Sequence, residues 1–356
     1  MPTQDIEWNA ILAKIRKGRS ILILGPGVYP AAGGGTLQEA FIDELDLGRN
    51  PYVQNYYRED NFFLFRAGGG RAFTSARLEA FYERQEPGEL LRKIARLPFH
   101  VILNITPDRL LTRAFDAEGF RYQFDHYKKL HAPAGIQQPS QELPLLYNLL
   151  GSVDDEESLL LTHNDLYDYF KSIFSRKSMP DKLKLALRER RINTFIFLGV
   201  PFEKWYMQLL LRELEIHRGQ EDFIRYAANV DLDEKIRTFC TEQFTIQFVD
   251  NDSVYFVEQL YARCAADGNL RQAGKATPWE SLRGLVAEDR LGEALQQFAE
   301  LARHTELSEE VDRPAGRYRR FARKRRNGVL DSRDIPVQEN QITHDTLDLI
   351  QEAETL

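Results

Sequence analysis

Three short stretches that are apolar on both faces decide the fold class of this 356-residue chain. Residues 21–28, Ile-Leu-Ile-Leu-Gly-Pro-Gly-Val, read as a buried strand running into a Gly-rich turn. Residues 101–105 read as a second strand, and Thr194 to Val200 as a third that leads into Pro-Phe-Glu-Lys-Trp and a helix. A strand without a polar face must be covered by helices on both sides, which is the setting of a parallel sheet. Helical patterns stand between the strands. Residues 5–17 place Ile6, Ala10, Leu12, Ala13 and Ile15 on a stripe, 37–45 place Leu37, Phe41 and Leu45 on one face, and 76–96 are amphipathic. The aromatic-rich stretch 52–65 is assigned to further helices, and 244–249 to an edge strand. The predicted class is α/β, a Rossmann-like parallel sheet sandwiched by helices and followed by a small all-α bundle.

The bundle begins after a break in composition. Residues 267–278 are small and polar and carry two Gly and a Pro, as linkers do. Beyond them no strand pattern appears. Leu282, Leu285 and Val286 form one stripe, and Leu291, Leu295, Phe298 and Leu301 another; 308–327 and 336–353 give two more helical windows. Pro314 falls in the third window and is placed at the start of a helix, where a missing N–H is harmless. The expected division is a first domain over 1–270, a linker over 271–278 and an all-helical domain over 279–356.

Composition narrows the function classes. A net charge of -7 gives no global reason to expect nucleic acid or an anionic membrane. Only two cysteines occur, Cys240 and Cys264, so a four-cysteine zinc site is excluded. The first residues lack a basic segment followed by an apolar one, and no apolar run reaches the ~18 residues of a membrane helix; the cytoplasm is the expected compartment.

Motif order supplies a resemblance. Gly25-Pro26-Gly27 after the first strand, Thr106-Pro107-Asp108-Arg109 after the second, Leu150-Gly151-Ser152, residues 160–169 and the strand ending at Gly199 follow one another as in the bacterial sirtuin-like NAD-binding domains. The likeness runs across about residues 15–265. It implies a site for NAD or an NAD-derived nucleotide built from Gly25, Gly27, Asp108, Gly151, Ser152 and Gly199, with no metal. The C-terminal part resembles the effector-associated domains, helical adaptors of bacterial conflict systems, through Arg317-Tyr318-Arg-Arg-Phe321, Asn327-Gly328-Val-Leu330, Glu339-Asn340-Gln341-Ile342 and Leu347-Asp-Leu-Ile350. That resemblance implies a partner, an effector or sensor with a like adaptor domain, and a homo-oligomer.

Inside this frame the chemical groups have changed. Where the family has a histidine that acts as general base on the ribose, this chain has Leu150, which can neither accept a proton nor orient a hydroxyl. Thr106 stands on the family's asparagine and offers one hydroxyl in place of an amide. Pro26 removes an N–H from the phosphate turn. Lys204 stands where an acidic residue is usual. Thr106 and Leu150 are therefore degenerate positions, and no catalytic residue is assigned. Each retained residue has a plainer reading too: Gly25 and Gly27 as a tight turn without ligand, Asp108 as the N-cap of the helix that follows, and His163 as structural or exposed. His126 and His131 are the histidines near enough in sequence to enter the site from the preceding loop. Asn104 lies about 6–7 Å along the strand from Thr106, too far to replace it.

Eight basic residues fall within the 14 positions from Arg313 to Arg326. With few aromatic platforms nearby, this reads as a solvated or partner-facing surface, with Arg317, Arg320, Arg323 and Arg326 as contact residues, in preference to a nucleic-acid groove. Two functions remain open: a non-catalytic pseudoenzyme acting in assembly or signalling within an antiphage system, and an NAD glycohydrolase that depletes NAD on infection.

Overall fold

The computed structural model describes residues 6–66, 68–129, 136–174, 180, 183–184, 187, 194–214, 224–228, 232–273, 282, 285–286, 290–303, 308–326 and 334–355. The chain divides into two compact units, Met1–Ala273 and Gly274–Leu356.

The first unit is built on a seven-stranded sheet of β1 (Ser20–Leu24), β4 (Val101–Asn104), β5 (Gln123–His126), β6 (Leu145–Asn148), β7 (Thr194–Leu198), β8 (Ile224–Ala228) and β9 (Gln247–Val249). Their order is β5-β6-β4-β1-β7-β8-β9, with every pair parallel. The residues of β1 and β7 are all buried, as their two apolar faces require. Side chains alternate between two cores. Leu22, Leu24 and Ile102 point into one, with Ile11, Phe81, Ile94, Phe115 and Val257; Ile21, Ile23 and Leu103 point into the other, with Tyr169, Met207 and Phe244. Helices α1 (Trp8–Arg16), α2 (Leu37–Glu44), α3 (Gly70–Glu83), α4 (Glu89–Arg96), α5 (Leu110–Ala117) and α9 (Ser253–Ala266) cover the first face. Helices α6 (His163–Phe174), α7 (Trp205–Glu213) and α8 (Glu234–Phe244) cover the second. Complete burial of each such aliphatic or aromatic side chain contributes roughly 1.5–3 kcal/mol.

Register aligns the strand ends. Leu24 pairs with Asn104 and Leu198, Asn104 with Asn148, Asn148 with His126, and Leu198 with Ala228. All the following loops therefore leave from one rim. The chain runs to one side of β1 first and to the other later, so the topological switch lies between β1 and β7, where ligand crevices of open α/β sheets form.

The stretch 52–65 is not helical. It folds into an antiparallel hairpin of β2 (Val53–Tyr57) and β3 (Phe62–Phe65), turning at 58–61 with Asn61 in the left-handed region at φ 62°. Its aromatic residues fit a half-buried pleated surface, and the strand preference of Tyr and Phe prevails over the helical spacing. The edge strand at the other end is shorter than 244–249, because α8 continues to Phe244 and Thr245 closes it at φ 54°.

The second unit contains α10 (Leu291–Ala302), α11 (Ser308–Arg326) and α12 (Asp334–Thr355). Phe298, Val311 and Ile350 meet in one core cluster; Leu295, Phe321 and Ile342 meet in another. Two expectations fail. Leu301 is 42% exposed and off the buried stripe. Pro314 lies inside α11 as its seventh residue, so the helix loses one internal bond and continues past it.

Candidate functional site

The rim above β1, β4 and β6 holds a buried polar network. Asn104 ends β4 and is 1% exposed; its Oδ1 accepts the Tyr29 hydroxyl at 3.1 Å and the Thr106 hydroxyl at 3.0 Å, and its Nδ2 donates to Asn148 Oδ1 at 3.4 Å. Asn148 in turn donates to the Asp108 carbonyl at 2.9 Å. Thr106 is thus within hydrogen-bonding reach of Asn104, contrary to the separation inferred from an extended strand, because the chain turns after Ile105. A buried amide left unpaired would cost about 1–3 kcal/mol, so the partners hold one another in place. Asp108 Oδ1 accepts the Leu110 N–H at 2.8 Å, which fixes the first turn of α5. Its Oδ2 is buried without a hydrogen-bond partner, and burial raises the carboxyl above the usual carboxylate range.

The Gly-rich turn is engaged with the protein itself. Gly25 N–H donates to Leu198 O at 2.9 Å and Gly27 N–H to Gly199 O at 3.0 Å; Val28 and Tyr29 donate to Gly25 O and Pro26 O. Pro26 has no N–H, so no amide from 25 to 29 is free. The glycines serve close backbone approach. A Cβ on Gly25 would lie 2.2 Å from Gly199 O, and one on Gly199, at φ 61°, would lie 2.6 Å from Gly27 C. At the switch point the two loops touch rather than part.

Gly151 and Ser152 are likewise taken up by a tight turn. Gly151 has φ 93°, and a Cβ there would lie 2.2 Å from Ser158 O. Ser152 is wholly buried, with its N–H donating to Ser158 Oγ at 2.9 Å.

Beside this network lies a cavity of about 100 Å³ whose wall includes Pro26, Thr106, Leu150, Leu161, Pro201 and Tyr206, together with aromatic side chains of the hairpin. No Asp, Glu, His, Lys, Arg or Cys is among its described lining residues. Its titratable groups are tyrosines: burial pushes Tyr56 up to about 12, and burial raises Tyr82 and Tyr206 further. Among the described residues, the wall in which Leu150 sits therefore has no group that exchanges a proton near neutrality. His126 lies elsewhere, 3.2 Å from Asp155 Oδ2, and His131 falls outside the described residues. A second, wider depression of about 410 Å³ opens beyond Pro26 and Pro201, beside Gly27 and Gly199; the charged residues among its described lining are Glu203 and Asp252, both acidic.

The NAD pyrophosphate finds a poor fit here. The turn offers it no amide, and neither hollow is lined by a described cation. Two carboxylates face the wider hollow instead. No step through the cofactor is derived.

Lys204 and His163 meet at the tip of the hairpin. Lys204 Nζ donates to the carbonyls of Arg58, at 3.2 Å, and Glu59; Asp60 accepts Trp205 Nε1–H at 3.0 Å and lies 3.1 Å from His163 Nε2. In the second unit, Arg317 pairs with Asp345, while Arg320 and Arg323 are exposed. Arg317, Arg320 and Lys324 surround a groove floored by Phe321 and Ile342. The side chain of Arg326, and the motif residues 327–330, fall outside the described residues.

Sequence reasoning missed Tyr29, Asn148 and Asp60. The signal for the first network was present: two apolar strands, 101–104 and 145–148, each end in an asparagine, and a buried amide demands a partner.

These features define a Rossmann-like α/β unit with an occluded rim, followed by a helical unit. Residues 103–244 match the SIR2-like domain family, and residues 277–354 match Effector-associated domain 11. The chain is a fusion of a SIR2-like domain with a C-terminal effector-associated domain. The SIR2-like match begins at β4, so the 25–27 turn precedes it. No curated protein matches the chain.

Proposed function

We propose that this protein is a non-catalytic SIR2-like component of a bacterial conflict or antiphage system, with its helical unit recruiting an effector or sensor that carries a like module. One observation supports the reading: among the described residues, the wall of the cavity that includes Leu150, which the motif resemblance sets at the general base's position, has no proton-exchanging group near neutrality. The engaged amides of 25–29 support the same view, since a phosphate cradle needs free donors. The rim then acts as a scaffold, and copies associate through the chain. Incubating the purified protein with NAD at high protein concentration, while nicotinamide release is followed, tests the proposal. No release is expected; turnover abolished by Asp108→Ala would overturn it. Deleting residues 276–356 is expected to abolish co-purification with the partner.

The enzymatic reading draws on one feature. Asp108 Oδ2 is an unpaired acceptor beneath the rim. At 1% exposure it is shut off from solvent, and it does not line the cavity, so a substrate hydroxyl could reach it only after rearrangement.

A further inference from the structure

We propose that the rim cavity is a binding site for a small, uncharged and mainly apolar molecule, one ring or a short chain in size, and that the β2–β3 hairpin is its door. The proposal goes beyond the adaptor reading and stands whether or not NAD is cleaved.

The walls select the class of ligand. With no charged group among the described lining residues, an ion entering the cavity would lose its hydration without compensation. An apolar molecule would meet aromatic and aliphatic surface, and Gln38, Asn61 and Thr106 supply a few polar contacts, the usual composition of a small-molecule site. Dry cavities of similar order, about 150 Å³, take up benzene.

The door is defined by how it is held. Among the described residues β2 and β3 pair only with each other, and a two-stranded hairpin is marginal by itself. Its inner face gives Tyr56, Phe62 and Phe63 to the cavity wall. One backbone bond, Phe63 N–H to Leu161 O at 2.8 Å, joins the hairpin to the loop before α6. The tip is gripped from outside by Lys204, Trp205 and His163, all acting on residues 58–60. These contacts are part-exposed, with Trp205 48% exposed, and exposed polar contacts are individually weak. The polar grip on the tip is therefore weak, and burial of Val53, Phe62 and Phe63 is the main hold that an opening hairpin must give up. Lys204, which departs from the acidic residue of similar domains, has a role here as a latch on two carbonyls.

The test uses the full chain and fluorobenzene as probe, observed by ¹⁹F NMR, with benzoate as the charged comparator. Fluorobenzene is expected to bind and to be displaced by benzamide, while benzoate at equal concentration does not bind. Filling the cavity with Leu150→Trp, or with the smaller change Leu161→Phe should the first fail to fold, is expected to weaken fluorobenzene binding at least tenfold. Asp60→Ala, which removes the partner of both Trp205 and His163, is expected to speed hydrogen exchange of amides 55–64 at least tenfold. The site is refuted if fluorobenzene binds no better than benzoate, or if a folded cavity-filling variant binds as well as the native chain. The door is refuted if Asp60→Ala leaves exchange unchanged. Nicotinamide release is read separately, so failure of this inference and failure of the non-catalytic reading are distinguishable.

Discussion

Replacing Arg271 with alanine is predicted to destabilise the first unit by about 3 kcal/mol. Arg271 is 8% exposed, and its guanidinium donates to four backbone carbonyls: Ala95 at 3.0 Å, Leu97 at 3.1 Å, Phe99 at 2.7 Å, and Gln141. It also lies 5.2 Å from the ring centre of Phe115. Among the described residues it forms no ion pair with a carboxylate, and burial lowers its pKa to about 10. Four charge-assisted bonds at roughly 1.5 kcal/mol each favour the native state by about 6 kcal/mol. The lowered pKa corresponds to a desolvation cost of about 3 kcal/mol, which leaves about 3 kcal/mol in favour of the residue. Urea unfolding followed by tryptophan fluorescence, with Trp8 and Trp205 in the first unit, is the assay. A slope of ~3 kcal/mol/M turns the loss into a midpoint shift of about 1 M. Arg271→Lys should recover only part of it, because one ammonium cannot reach four carbonyls held in a fork. A shift below about 0.3 M for the alanine variant would refute the assignment of these bonds as the anchor of residues 271–273.

Three further outcomes follow from the same geometry. Gly25→Ala is expected to destabilise the first unit by about 2 kcal/mol or more even without any ligand, since its Cβ would meet backbone 2.2 Å away; an unchanged melting temperature would mean that the loops are not in contact. Burial lowers the pKa of His100 to about 4, so the unfolded chain binds the extra proton first; stability is complete above pH ~6.5 and is lost as pH falls toward ~4, by up to about 3 kcal/mol, and His100→Leu should flatten that part of the urea midpoint–pH profile. Leu150→His is expected to leave the protein without NAD cleavage, because the turn amides stay engaged and Thr106 stays bound to Asn104; nicotinamide release by this variant would show that the histidine alone was missing.

The central strands were legible because β1, β4 and β7 carry apolar residues on both faces, which leaves few alternatives to a covered parallel sheet. β6 is four residues long and β5 contains Gln123, Asp125 and His126, so neither announces itself by pattern. The hairpin was misread as helix because a run of Tyr and Phe satisfies either period when the turn at 58–61 carries no glycine or proline. At the rim, a leucine where the resemblance implies a histidine was legible from motif order. The bond of Asn104 to Asn148 was not, since the two lie 44 residues apart and meet only through strand register. Asp60 and Trp205, 145 positions apart in sequence, meet only when the hairpin folds back over the rim, as do Lys204 and the Glu59 carbonyl. Arg271 looked like part of a linker for the same reason: its partners at 95–99 and 141 are remote in sequence.

The central claim is that the SIR2-like unit no longer performs the chemistry of its fold. Nicotinamide release from NAD by the full chain, followed at high protein concentration and with the partner module present, tests it most directly. The account predicts no release above that of a buffer blank. Sustained release that disappears in Asp108→Ala would contradict it.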